Sequence, residues 1–172
     1  LYYNANNELH RENKPALIEY YENGSIKLEE YYIDGLFHRE GGPAYIKYYQ
    51  NGNINHEEYY TNGELRPAHI NYYEDGNIES EEYFINGKYH KENGPAWIDY
   101  YENGNIKHIS YCVNNEHHRE DGPAVIYYYE NGKIESEEYC KNGNTHRENN
   151  SAAYIGHYDN GSIRNEGYYI NG

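Results

Sequence analysis

Apolar and polar positions alternate in short runs along the whole chain, and the runs are punctuated by Asn-Gly or Asp-Gly pairs. A typical stretch reads Pro43-Ala44-Tyr45-Ile46-Lys47-Tyr48-Tyr49, then Asn51-Gly52, then Ile54 to Tyr60, then Asn62-Gly63. Period-two alternation of β-branched and aromatic residues predicts half-buried strands. Asn-Gly between such strands predicts tight hairpins of type I′, which need positive φ at both central residues. The first glycine of each pair of turns falls at Gly24, Gly52, Gly76, Gly104, Gly132 and Gly161, in steps of 28, 24, 28, 28 and 29. The second series, Gly35, Gly63, Gly87, Asn115, Gly143 and Gly172, always follows 11 residues later. A fixed short interval and a variable long one separate a strand between two turns from a loop that tolerates length change. The pattern predicts an all-β fold: a tandem-repeat antiparallel hairpin meander, an elongated single-layer or curled sheet. Residues 1–172 form a single array of six units of 28 residues, the third shortened by four.

If Asn23-Gly24 closes a two-residue hairpin, Tyr21 faces Ile26, Tyr20 faces Lys27 and Ile18 faces Glu29. One face then carries Ala16, Ile18, Tyr20 and Tyr31, and the other Leu17, Tyr21, Ile26 and Tyr32. Two aromatic ladders emerge. Tyr20, Tyr48, Tyr72, Tyr100 and Tyr128, ending in His157, form the first; Tyr31, Tyr59, Tyr83, Tyr111 and Tyr139, ending in Tyr168, form the second. With 26 Tyr, two Phe and no Met, most apolar surface carries a hydroxyl that needs a partner or water. The sheet is therefore expected to rest on many cross-strand pairs worth ~0.2–1 kcal/mol each rather than on a thick dry core.

The formal charge of −15 repels phosphate backbones and anionic lipid, which argues against nucleic acid and membrane as partners. No apolar run reaches transmembrane length and no signal-peptide pattern opens the chain, so the reading is a soluble protein, cytoplasmic or virion-associated. The array opens on Tyr2-Tyr3, which matches the tail of a second strand, and stops on the turn pair Asn171-Gly172, so a piece of a longer array is expected. Cys112 and Cys140 share one column, 28 residues apart. In a meander an intervening strand separates them by roughly 9.6 Å, too far for a disulfide, so both are expected as free, half-buried thiols.

The sharpest chemistry lies in the loops: His10-Arg11-Glu12, His38-Arg39-Glu40, His90-Lys91-Glu92, His118-Arg119-Glu120 and His146-Arg147-Glu148. His and Glu suit metal ligation or acid-base work, but loops two strand spacings apart converge poorly on one ion. A structural ladder is preferred, with Arg of one loop pairing with Glu of the next and His packing on Pro-Ala. The third unit runs Gly63-Glu64-Leu65-Arg66-Pro67-Ala68 without the triplet and stays in phase. The segment is thus expected to be dispensable for stacking and to present a recognition surface for a protein partner. A Cys-His nucleophile using Cys112 with His108 or His117 lacks a recurring third member, and a sugar platform built on Trp97 lacks Trp in the other units. No cofactor is implied.

The run Tyr20-Tyr21-Glu22-Asn23-Gly24-Ser25-Ile26, followed by Glu30-Tyr31-Tyr32-Ile33-Asp34-Gly35, resembles MORN-type repeats, particularly the variant of antitoxin-like bacterial proteins. The His-Arg-Glu-x-Gly-Pro-Ala block, as in His118 to Ala124, is similar to repeats encoded by phages and large DNA viruses of protists. The resemblance implies stacked β-hairpins and roles in scaffolding, partner binding or, for some members, membrane association. The Gly-rich His-Gly-x-Gly segment of the usual repeat is replaced here, so the lipid-binding role does not carry over. The functional expectation is a non-catalytic repeat scaffold or protein-interaction module, part of a viral or surface assembly, with end-to-end self-association as a further option. The alternatives are a glycan-binding array and an antitoxin-like binder of one cognate protein.

Overall fold

The computed structural model describes residues 1–169, with the backbone alone of Thr61, Leu65, Arg66 and Pro67. Strands are the only regular elements among the described residues. The chain divides into two compact units, Leu1–Glu79 and Ser80–Gly172. In the first, Leu17–Tyr20, Ile26–Glu30, Tyr45–Tyr48, Ile54–Thr61 and Glu64–Tyr72 follow one another in space as they do in sequence, each antiparallel to the next. The strand Ile78–Glu82 crosses the division. In the second unit it pairs with Trp97–Tyr100, and the order continues through Ile106–Ser110, Val125–Tyr128, Ile134–Glu138, Tyr154–His157 and Ile163–Gly167. The predicted all-β hairpin meander is therefore the architecture of each unit.

The two series of Asn-Gly turns fold differently, which corrects the register near the first. Tyr21 N–H donates to Ser25 O at 2.9 Å and Gly24 N–H to Tyr21 O at 2.9 Å. The loop therefore holds three residues, and only Gly24 (φ +85) has left-handed backbone. The cause is Asn23, whose side-chain oxygen accepts the Ser25 N–H at 3.0 Å and favours the ordinary turn conformation. The same bond recurs from Asn53 to Asn51, Asn77 to Asp75, Asn105 to Asn103, Lys133 to Asn131 and Ser162 to Asn160. Ile18 faces Glu29 as expected, but Tyr20 faces Ile26, not Lys27, across a register shift. Ile26 thus leaves its expected face: its equivalent Ile54 packs with Ile46, Tyr48, Ala44 and Tyr31 in one cluster.

The second series supplies the type I′ turns. Asp34 and Gly35 have φ of 47 and 74, Asn62 and Gly63 of 51 and 75, Asn86 and Gly87 of 52 and 70, Asn114 and Asn115 of 54 and 75, and Asn142 and Gly143 of 50 and 78. The expected turn at Asn171-Gly172 lies outside the described residues. These turns close small separate hairpins: Tyr32–Ile33 with Leu36–Phe37, Phe84–Ile85 with Lys88–Tyr89, Cys112–Val113 with Glu116–His117, and Cys140–Lys141 with Asn144–Thr145. Among the described residues, the continuous second strand expected for every unit is found only in the second unit, as Ile54–Thr61. Elsewhere the chain leaves the long ladder at a tyrosine. Tyr31 N–H donates to Ala44 O at 2.7 Å while Tyr31 O accepts His38 N–H at 3.0 Å, and Tyr83, Tyr111 and Tyr139 repeat the pattern.

Burial is thin, as the composition predicts. The alanines that re-enter the sheet, Ala16, Ala44, Ala96, Ala124 and Ala153, are fully buried, each removing little more than a methyl group from water. Three tyrosines of the first ladder are satisfied by carboxylates on the neighbouring strand. Tyr48 and Tyr72 donate to Glu29 and Glu57 at 2.9 Å, and Tyr100 donates to Glu81 at 2.8 Å.

Candidate functional site: the His-Arg-Glu loop face

Each loop connects a small hairpin to the next long strand, and its conformation is fixed by its first two residues. His38 Nδ1 accepts the backbone N–H of Asn62 at 3.1 Å, His118 Nδ1 that of Asn142 at 3.2 Å, and His10 Nδ1 that of Asp34 at 3.2 Å. The imidazole therefore fastens one loop to the following type I′ turn. For His38 and His118 the accepting Nδ1 places the proton on Nε2, whereas His10 Nδ1 also lies 2.9 Å from Asp34 Oδ1. His90 departs from the pattern, since its Nδ1 is buried without a hydrogen bond. In its unit Asn115 replaces the turn glycine, and the Asn115 side-chain oxygen accepts Tyr89 N–H at 2.7 Å.

The arginine folds back on its own loop. Arg11, Arg39 and Arg119 donate to Pro15, Pro43 and Pro123 carbonyls at 3.2, 3.2 and 3.4 Å, and Arg147 donates to Ala152 O at 3.1 Å. Each guanidinium also lies over a ladder tyrosine. The separations to the ring centroid are 3.7 Å for Arg11 on Tyr2, 3.9 Å for Arg39 on Tyr31, 4.0 Å for Arg119 on Tyr111 and 3.7 Å for Arg147 on Tyr139. Lys91 sits over Tyr83 at 3.3 Å, and burial holds its amine below the usual lysine range. Such stacks contribute roughly 0.5–2 kcal/mol each. The expected ladder of Arg to the next loop's Glu is replaced by these contacts within the loop, because a ring and a carbonyl are already in reach.

The third member of each triplet points outward. Glu12, Glu40, Glu92, Glu120 and Glu148 are all exposed. Their ties are slight: Glu120 lies 4.0 Å from His118 Nε2 and Glu148 3.8 Å from Lys141 Nζ. Between successive loops lie open clefts in a repeated register. One, of about 430 Å³, runs between the Arg11 and Arg39 loops over Tyr31. In the second unit one of about 460 Å³ lies between the Lys91 and Arg119 loops over Tyr111, and one of about 670 Å³ between the Arg119 and Arg147 loops over Tyr139.

Of the remaining candidates, Cys112 and His117 do meet. His117 Nδ1 lies 2.8 Å from Ser110 Oγ and 3.7 Å from Cys112 Sγ, while His108 turns away to Asp99 at 3.2 Å. Burial raises the Cys112 thiol and lowers the His117 imidazole. Both shifts oppose a thiolate–imidazolium pair, so the thiol stays neutral. Ser110, fully buried, gave no signal in the sequence beyond standing where most units have Glu. Cys140, also buried, is pushed to about 12 by burial and then by Glu138. Both cysteines are free. Trp97 is built into the sheet, stacked on Tyr89 at 5.6 Å, edge-on to His108, with Nε1 donating to Asp99 at 2.8 Å. Among the described residues no three His, Cys, Asp or Glu side chains converge as metal ligands, and no helix is long and apolar enough to cross a membrane.

Comparison with curated proteins and with solved structures gave no match. Residues 17–34, 69–86, 96–114 and 124–142 each match the MORN repeat variant. Each match runs from a long strand or the loop end just before it, through the three-residue turn, to the type I′ turn, and the chain is a repeat protein of the MORN type.

Proposed function

We propose that the chain is a non-catalytic interaction module that holds a protein partner on its loop face. Repeats of this type point to a scaffold or interaction role. The observation that carries the reading is the division of labour within each triplet. Four arginines and a lysine are spent on the fold, three of the histidines bond to the next turn, and all five glutamates face solvent beside the clefts. Exposed carboxylates at a fixed spacing suit a partner that presents basic side chains in register, and the overall charge of −15 would speed its approach. The stacking of Trp97 on Tyr89 and its hydrogen bond to Asp99 build it into the sheet, which favours a protein partner over a glycan.

The test uses the residues that the fold does not need. Replacing Glu12, Glu40, Glu92, Glu120 and Glu148 together with Gln is expected to leave the melting temperature within a few degrees, because exposed ties of this kind contribute ~0–1 kcal/mol. Co-purification of the natural partner with the tagged protein is expected to be lost. A variant that retains its partner at unchanged yield overturns the reading.

A further inference from the structure

We infer that the fourth repeat contains a binding site for a carboxylate group, formed by the hydroxyls of Tyr111 and Tyr128 with the guanidinium of Arg119, beside Ile109. The inference is independent of the loop-face reading and rests on three internal templates.

In the first, Tyr48 donates to Glu29 at 2.9 Å, Tyr31 bonds to the same carboxylate, and Arg39 lies over Tyr31 at 3.9 Å. In the second, Tyr59 and Tyr72 donate to the same oxygen of Glu57 at 3.2 and 2.9 Å. In the third, Tyr100 donates to one oxygen of Glu81 at 2.8 Å, Tyr83 donates to the other, and Lys91 lies over Tyr83 at 3.3 Å. Two tyrosines gripping one carboxylate is thus the standing arrangement of this column.

Register places Ile109 in the same column. Glu29 faces Ile46, Glu57 faces Ile70, Glu81 faces Ile98, and Ile109 faces Ile126. The rest of the constellation is kept. Tyr111 and Tyr128 are half-buried, Arg119 lies over Tyr111 at 4.0 Å, and Tyr111 and Arg119 both act electrostatically on the Tyr128 hydroxyl. Among the described residues, Ile109 stands where the three templates have their carboxylate. Hydroxyl and guanidinium donors are stronger toward a charged acceptor than toward water or a neutral one. A carboxylate from outside that reaches Tyr111 and Tyr128 reproduces the contacts that Glu29, Glu57 and Glu81 make internally.

Two acidic groups work against the ligand. Glu137 on the following strand raises the Tyr128 hydroxyl, and Asp121, largely exposed, holds Arg119 Nε at 2.7 Å. A free carboxylate is therefore expected to bind weakly, and one carried on a peptide that makes further contacts more tightly. The two sources are separable.

The experiment is a titration of protein carrying ¹³C in its tyrosine rings, first with sodium acetate against sodium chloride at equal ionic strength, then with a short extended Glu-containing peptide against its Gln counterpart. The Tyr111 and Tyr128 resonances are expected to move saturably with acetate and with the Glu peptide, and not with chloride or the Gln peptide. A response to the Glu peptide alone assigns the carboxylate to a protein side chain. Ile109→Glu supplies the group internally and is expected to abolish the response, Tyr128→Phe to weaken binding about ten-fold, and Glu137→Gln to tighten it by a similar factor. If neither acetate nor the Glu peptide moves these rings, or if Tyr128→Phe and Ile109→Glu respond like the wild type, Ile109 is a packing substitution and the site does not exist.

Discussion

The second and fourth repeats start from the same hairpin and part at one residue. In the second, Ile54–Thr61 pairs with Glu64–Tyr72 from end to end: Glu58 faces His69, and beyond a bulge Tyr60 faces Leu65 and Thr61 faces Glu64. In the fourth, the long strand stops at Ser110, Tyr111 turns its N–H to Ala124 O at 2.7 Å, and a separate small hairpin follows. Four extra residues account for the difference. They decouple the second hairpin from the long sheet, and a decoupled hairpin needs its own fastening, which His118 and Arg119 supply. Absence of the triplet from the third unit is therefore no sign that it is dispensable elsewhere. The expectation of dispensability drew on a unit that takes another backbone path.

Disabling the fastening while keeping its length gives the largest effect. His118→Ala with Arg119→Ala removes the hydrogen bond to the Asn142 N–H, the bond to Pro123 O and the stack on Tyr111, an expected loss of about 2–3 kcal/mol. Deleting residues 119–122 gives the connection from Glu116 to Ala124 the length of the one from Glu64 to Ala68 and lets its strands run straight, so the expected loss is smaller, roughly 1 kcal/mol. Urea denaturation followed by circular dichroism ranks the two. A deletion that destabilises more than the double substitution would show that the straight path depends on residues found only between Ile54 and Tyr72.

The long-strand meander was legible because period-two alternation and in-phase Asn-Gly turns are local signals. The small hairpins were not. Glu30-Tyr31-Tyr32 and Glu58-Tyr59-Tyr60 are the same three residues in sequence, yet only the first triplet breaks the ladder, because the break depends on a backbone bond between Tyr31 and Ala44, 13 residues away. The triplet's outward glutamates were foreseen as surface, whereas the inward turn of Arg39 was not. A guanidinium pairs as readily with a distant carboxylate as with the ring under it, and only the fold decides which is nearer. Ile109 was visible as a break in a run of glutamates, but its meaning needed the two tyrosines that share the column.

Acid sharpens the comparison through a group that the fourth repeat lacks. Glu58 stands where that unit has Ser110. The hydrogen bond from His56 outweighs burial and, with Tyr60, holds the Glu58 carboxyl below its ordinary value of 4.5. A lowered folded value means that the ionised group favours the folded state. Its contribution is present above pH 4.5 and drains away as pH falls through the folded value. Glu58→Gln is accordingly expected to melt lower than wild type at pH 7, with the gap closing by about pH 3. Burial shifts Glu30 the opposite way, with Tyr32 opposing, so Glu30→Gln has no such gap to lose. Melting temperatures across this range decide it, and a gap that stays constant for Glu58→Gln sinks the assignment.

The smallest effect separates the two turn series within one repeat. Asn131 and Asn142 both precede a glycine, but Asn142 has φ +50 and Asn131 is absent from the positive-φ residues. Alanine at 142 must adopt left-handed backbone, where its Cβ crowds the carbonyl, at a cost of about 1 kcal/mol. Its N–H to His118 is backbone and survives. Alanine at 131 meets no such crowding and forfeits only the bond from Lys133 N–H at 3.0 Å, which at an exposed turn contributes about 0.5 kcal/mol. Asn131→Gly and Asn142→Gly complete the set: glycine is expected to recover much of the loss at 142, where φ is the problem, and little of it at 131, where the side-chain oxygen is. Chemical denaturation of the four variants reads the pattern directly. Equal losses for the two alanine variants, or full recovery by glycine at 131, would mean that both turns share one geometry in solution.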